Sequence, residues 1–272
     1  MRRLDSAYSN ALAHRTDPSG IMVAGLGTNV QFASGDDSGK TLTLRGCSHS
    51  VDYIPTECGA LDAMLGGGIE TSCITLLYGE AGTGKTNLCL VLARNVARSG
   101  KKVIYVDSEG VSVERLRQIS GKDYEEVTKN VLFSEVHSFT EQETMVDKAI
   151  KLAEGNPDFG MIVIDSMTMY YRLTSREEER SERRSIAGMS ARLLTLARRK
   201  AIPILVTSQV YTDIDKGTAE ALGGNVLMHN SKTIIKLERI GTGRRRAVIM
   251  KHRHLAEGRS GEFALVDWGI TC

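Results

Sequence analysis

The residues best suited to chemistry form one octapeptide, Gly79-Glu80-Ala81-Gly82-Thr83-Gly84-Lys85-Thr86, which fits G-x-x-x-x-G-K-[ST]. Average residue usage gives a chain of this size only about one chance in a hundred of meeting that pattern. Its glycines let successive backbone N–H groups turn inward around phosphate oxygens, helped by the positive end of a following helix. Lys85 is then the cation for the β- and γ-phosphates, and the Thr86 hydroxyl is a ligand for Mg²⁺. A nucleotide site of this kind needs a second metal carboxylate. The apolar run Met161-Ile162-Val163-Ile164 ends in Asp165, which supplies one. Hydrolysis also needs a group that activates or orients water. Glu109, in Tyr105-Val106-Asp107-Ser108-Glu109-Gly110, is the candidate base. Gln209, in Val206-Thr207-Ser208-Gln209, is an amide able to sense the γ-phosphate.

These residues share a position in the pattern: each follows an apolar, strand-like run. Such runs occur at Ile74–Tyr78, Val103–Asp107, Val131–Val136, Met161–Asp165 and Ile202–Thr207. Helical periods separate them. Lys85–Ser99 presents Leu88, Val91, Leu92 and Val96 on one face, and Ser181–Lys200 presents Ile186, Met189, Leu193 and Leu196. Thr140–Glu154 opens on an expected capping box of Thr140 and Glu143. Strands alternating with helices predict an α/β fold of parallel βαβ units, whose ligands bind beyond the carboxyl ends of the strands. After Asn230 the helices stop. Thr233–Ile240, Arg246–Arg253 and Glu262–Trp268 read as three strands, giving a C-terminal antiparallel extension of the sheet.

Residues 1–51 differ in kind. Gly, Ser, Thr, Asn and Asp dominate from Asp17 to Ser50 without sustained period, which predicts a poorly ordered extension, with at most two strands around Gly20–Phe32 and Thr41–Arg45. The core is then residues 52–272, and nothing before Asp52 is needed for it, so an over-long start fits as well as a tail. Five scattered cysteines without a C-x-x-C pair predict reduced thiols, not a disulfide framework or zinc site. No stretch approaches the ~20 apolar residues of a membrane span. A cytoplasmic protein with no membrane partner is the expectation.

Together the motifs resemble the RecA family, and within it the archaeal recombinase paralogs. Leu61-Asp62-Ala63-Met64-Leu65-Gly66-Gly67-Gly68-Ile69-Glu70 is similar to the family's lead-in to its phosphate loop, and Asp107-Ser108-Glu109-Gly110 to the segment carrying its catalytic glutamate. Asp165 through Arg172 resembles a Walker B strand running into a first DNA loop. Gly223-Gly224-Asn225 with His229 resembles the end of a second, at Tyr211–Met228. Lys251-His252-Arg253 with Glu257-Gly258-Arg259-Ser260 matches the paralogs in particular. The resemblance implies a RecA-like ATPase core binding ATP and Mg²⁺, weak hydrolysis, and an accessory role in DNA repair and homologous recombination. Single-stranded DNA is the implied partner, with a main recombinase or a Holliday-junction-processing protein as a further one. The first 51 residues lack the helical DNA-binding domain and Phe-x-x-Ala linker of the strand-exchange members, so strand exchange by this chain alone is not expected.

A net charge of +2 hides a segregation that suits this reading. From Arg172 to Lys200 there are nine Lys/Arg against four Glu, and from Lys232 to Asp267 nine against four Asp/Glu, whereas Lys101 to Gly160 has eight basic and twelve acidic residues. Arg172, Arg176, Arg244, Arg245 and Arg246 are the candidate DNA contacts, against a solvated helix face where glutamates interleave with Arg176–Arg184. Lys251 and Arg253, spaced i and i+2 on an expected strand, face one way. The family's Lys-x-Arg pairs reach a neighbour's γ-phosphate, which implies a homo-oligomer; two cations on a solvent-facing strand edge are the plain alternative. Other readings stay open: a non-hydrolysing, ATP-switched mediator of another recombinase, a circadian-type RecA-like ATPase acting on protein, or a P-loop kinase.

Overall fold

In the computed structural model the chain divides into two units, residues 1–51 and 52–272. Described are residues 52–170, 179–213, 218–222 and 224–272, and in the first unit only one antiparallel pairing, β1 (Gln31–Phe32) with β2 (Leu42–Thr43). The expected poor order of the extension, the candidate contacts Arg172 and Arg176, Gly223 and Cys47 lie outside the described residues.

The second unit begins with β3 (Tyr53–Ile54), α1 (Gly59–Leu65) and β4 (Ile69–Glu70). Next come β5 (Ile74–Tyr78), α2 (Lys85–Arg98), β6 (Lys102–Asp107), α3 (Val113–Ser120), α4 (Tyr124–Asn130) and β7 (Val131–Glu135). α5 (Phe139–Gly155), β8 (Phe159–Asp165), α6 (Glu179–Lys200) and β9 (Ile204–Ser208) continue the alternation. A hairpin, β10 (Val210–Asp213) with β11 (Thr218–Ala221), leads to α7 (Gly224–Asn230). The chain closes with β12 (Thr233–Arg239), β13 (Arg244–Lys251), β14 (Ser260–Val266) and β15 (Gly269–Thr271).

Nine strands form one sheet in the order β15-β14-β13-β12-β5-β9-β8-β6-β7. Strands from β12 to β7 run parallel, and β13, β14 and β15 add antiparallel. The antiparallel extension therefore starts one strand later than the pattern predicts, because β12 joins β5 in parallel register. Side chains alternate across the sheet. Leu77, Met161, Val163 and Leu205 pack with α2 on one face, and Leu76, Ile162, Ile164 and Val206 pack against α5 and α6 on the other. Burial on both faces is why these strands read as unbroken apolar runs. Each fully buried Leu, Ile or Val contributes roughly 1.5–3 kcal/mol.

Four expectations need correction. The cap of α5 is Ser138, whose hydroxyl accepts from the Glu141 amide at 3.2 Å while the Glu141 carboxylate accepts from the His137 amide at 2.8 Å. The capping pair thus sits two residues before Thr140 and Glu143. Cys58 and Cys272 are joined in a disulfide, with Cα atoms 5.4 Å apart. Spacing could not show this, because the sheet carries β14 and β15 back to α1 across 214 residues; Cys73 and Cys89 are free and buried as expected. The span 211–228, expected as a DNA loop, contains the β10–β11 hairpin and most of α7. Finally, β13 ends at Lys251, so Arg253 is not its neighbour on a strand face.

Candidate nucleotide-hydrolysis site

The phosphate loop joins the end of β5 to the start of α2, and its conformation requires glycine at two places. A Cβ on Gly79 would collide with the Leu237 carbonyl oxygen of the adjacent β12. Gly84, the residue before α2, has φ +98°, and a Cβ there would lie 3.1 Å from Leu265. Lys85 is 6% exposed, and its ammonium donates to the carbonyls of Gly79 (2.9 Å) and Glu80 (3.1 Å) within the loop. Burial pushes its pKa down, and the nearby Glu109 and Asp165 carboxylates oppose that shift. Glu80, Ala81 and Gly82 are exposed at the lip of the loop. The Thr83 hydroxyl folds back onto the Glu80 carbonyl at 2.8 Å.

Asp165 ends β8 with no exposed surface. Its carboxylate accepts from the Tyr105 hydroxyl (2.8 Å), the Thr207 hydroxyl (2.5 Å) and the Thr86 hydroxyl. Burial raises its pKa, and these three donors pull it back toward the charged form. Thr86 and Asp165, expected as metal partners from segments far apart in sequence, are therefore in contact. A hydroxyl beside a carboxylate is a hard oxygen pair, which fits Mg²⁺ better than a soft metal. Among the described residues no cluster of three or more His, Cys, Asp or Glu forms another metal site.

Glu109 is exposed, one residue beyond the Ser108 that ties β6 to β8. Ser108 donates its hydroxyl to the Ser166 carbonyl (3.0 Å) and accepts from the Ser166 amide (2.9 Å), beside a cis Asp165–Ser166 peptide. Gln209, between β9 and β10, donates its side-chain amide to Glu109 Oε1 at 2.9 Å. The two candidates thus meet, although 100 residues separate them.

Two residues that the sequence reading missed hold this arrangement. Asp107 is 6% exposed, and its carboxylate accepts from the amides of Glu109 (3.0 Å), Gly110 (3.0 Å) and Val111 (2.5 Å). It clamps the turn that presents Glu109; the signal was an Asp two residues before the base with a glycine after it. Arg115 of α3 donates to Asn87 Oδ1 in the first turn of α2 (2.6 Å) and to the Val266 and Asp267 carbonyls at the end of β14 (2.7 and 2.9 Å). Nothing in the sequence pattern marked it.

The remaining candidates lie apart from this centre. Lys251 donates to the carbonyls of Met228 (2.8 Å), Ser231 (2.9 Å) and His229 (3.3 Å), closing the C-terminal end of α7. Arg253 grips the buried Glu70 carboxylate through Nη2 (2.5 Å) and Nε (3.2 Å). Both are engaged within the chain. Arg244 and Arg246 share the Glu262 carboxylate, at 2.6 and 2.9 Å. Arg245 is 7% exposed and turned onto the phosphate loop, so it is not a surface contact for DNA in this conformation. Strand alternation explains the division: Arg244 and Arg246 share one face, and Arg245 takes the other.

A phosphate loop on a RecA-like α/β core, with an Asp and a Glu at the carboxyl ends of neighbouring strands, is the class that fold and site define. The chain belongs to the Rad51 family, whose model matches residues 48–272. It is similar to a protein described as DNA repair and recombination protein RadB of Methanococcoides burtonii, with 42% identity over 80% of this chain and 97% of that protein. The proteins of the same description from Thermoplasma acidophilum and Archaeoglobus fulgidus share 38% identity over 82% of this chain and 95% of theirs, and 40% over 80% and 97%. A solved structure of the RadB recombinase superposes with TM-score 0.70 at 31% identity, over 80% of this chain and 99% of that one.

Proposed function

We propose that the chain is an ATP- and DNA-binding ATPase that serves DNA repair and homologous recombination as an accessory protein. One observation carries the reading: Lys85, the Thr86–Asp165 pair and the Glu109–Gln209 pair, drawn from four segments, gather at the carboxyl edge of one parallel sheet. The relatives named for DNA repair and recombination, similar over nearly their whole length, supply the biological setting.

Each residue has a task in that chemistry. The loop amides and Lys85 hold the β- and γ-phosphates, for which Lys85 exchanges its contacts to Gly79 and Glu80 for phosphate oxygens. Thr86 and Asp165 hold Mg²⁺, which neutralises phosphate charge when bound. Glu109 takes the proton of the attacking water, and Asp107 keeps its backbone turned toward the site. Gln209 passes the occupancy of the Glu109 side of the site to the β10–β11 hairpin, which begins at the next residue. Lys251 and Arg253 are engaged within the chain, so in this conformation neither is offered to a second copy's γ-phosphate. DNA follows the basic surplus along α6 and β13, through salt-dependent contacts largely independent of sequence.

Thermal unfolding with and without ATP–Mg²⁺ tests the site. At a ligand concentration one hundred times Kd the folded state gains roughly 2.7 kcal/mol, seen as a raised midpoint. Lys85→Ala removes that rise. A wild-type midpoint indifferent to ATP–Mg²⁺ overturns the reading.

A further inference from the structure

The buried arginine on β13 has a feature that neither DNA contact nor fold stability explains. Arg245 is 7% exposed; its Nε donates to the Gly82 carbonyl at 3.0 Å and its Nη1 to the Arg244 carbonyl at 2.9 Å. Among the described residues it makes no ion pair, while Arg244 and Arg246 on either side both reach Glu262. Its cross-strand partner in register is Arg239, a like charge. Burial and Arg239 both push the Arg245 pKa down. A guanidinium is rarely so buried without an acid, because desolvating it is costly. Among the described residues two backbone carbonyls and no carboxylate meet its charge, so an anion bound at the phosphate loop is the group suited to balance it.

The bond to Gly82 indicates what that is. In a trans peptide the C=O and N–H point in opposite directions. A donor fixed on the Gly82 carbonyl therefore sets the direction of the Thr83 N–H across the same peptide plane. That N–H makes only a long contact, 3.4 Å, to the Glu80 carbonyl, so it is available to an incoming oxygen.

We propose that Arg245 is a positioning residue for phosphate binding: it holds the Gly82–Thr83 peptide so that the Thr83 amide faces the polyphosphate, and the polyphosphate balances its charge. This rests on the nucleotide reading above and adds to it a residue outside the phosphate-loop motif, 163 positions from Gly82. The role belongs to the α,β-phosphate region that ATP and ADP share.

The test is equilibrium binding of ATP and of ADP to the full chain, together with nucleotide-free thermal unfolding, for wild type, Arg245→Met and Arg245→Lys. Arg245→Met weakens both nucleotides by about tenfold, the loss of one charge-assisted bond. Its nucleotide-free midpoint stays at the wild-type value or rises, because an unpaired buried charge is gone; a merely structural arginine would lower it. Arg245→Lys keeps the cation without the fixed Nε–H and recovers less than half of the loss. Wild-type affinity in Arg245→Met overturns the assignment. If Arg245→Met does not fold, Arg245→Lys decides: weakened binding at a wild-type midpoint supports the role, and wild-type affinity overturns it. Wild type that binds neither nucleotide removes the nucleotide site and this role with it, whereas binding that Arg245→Met leaves intact removes this role alone.

Discussion

Asp165 shows how a charged group is kept usable where no water reaches it. Three hydroxyl donors, from Tyr105, Thr207 and Thr86, offset the desolvation that raises its pKa. Tyr105→Phe removes one of them from a fully buried carboxylate, and a loss of about 2 kcal/mol in unfolding free energy is expected by urea titration at neutral pH. Cys73 is the opposite case, a buried group whose donors, Thr75 and Arg253, do not offset its desolvation. Burial, with the Glu70 carboxylate adding, pushes its thiol from 9.0 up to about 11. The unfolded chain thus releases the thiol proton near pH 9 and the folded chain only near 11. Stability is unaffected below pH 9 and falls as pH rises from 9 toward 11, by on the order of 2 kcal/mol. The fall across that window, measured by denaturant titration, is smaller in Cys73→Ser by that amount; equal falls contradict it. The candidates for the site were legible at this scale: the phosphate loop, Asp165, Glu109 and Gln209 stand at strand ends in the sequence, and the fold brings them to one edge. The clamps were not legible. Asp107 left only the faint signal of an Asp two residues before Glu109 with a glycine after it, whereas Arg115 and Arg245 act mainly through backbone carbonyls, and a backbone partner leaves no residue type to read.

Elements were read well where the apolar period is long, as in α2 and α6, or where both faces of a strand are buried, as in β8. Short helices on the rim of the sheet were missed: α3 and α4 are seven or eight residues long, too short for a periodic stripe to stand out. The start of α5 separates two local signals. Ser138→Ala is expected to cost about 1 kcal/mol and Thr140→Ala within about 0.5, both read from urea midpoints. Equal effects would restore the capping pair that the sequence suggested. At α7 the decisive residue is Lys251, whose ammonium closes three carbonyls. Lys251→Met in the isolated chain should raise amide hydrogen exchange across residues 225–231 at least several-fold, since it leaves buried acceptors unpaired. Unchanged exchange would mean that Lys251 is free for work elsewhere.

Across the whole molecule, near-neutral total charge coexists with two basic segments, and the structure sharpens what they offer. Arg245 is withdrawn from the surface, and Arg244 with Arg246 shares one Glu262, so the triple-arginine run presents a net charge near +1. Replacing Arg244 and Arg246 together by Ala should reduce the slope of log K against log salt for single-stranded DNA by about one, not two. No change would move the DNA path away from β13. Among the described residues no helix is long and apolar enough to cross a membrane. The proposed function requires this sheet edge to turn over ATP with Glu109 as base. ATP hydrolysis by wild type and Glu109→Gln, each with and without single-stranded DNA, tests it most directly. Expected are slow but measurable wild-type turnover and, in Glu109→Gln, a loss of about a hundredfold or more with ATP binding retained. Wild-type turnover no higher than that of Glu109→Gln would contradict it.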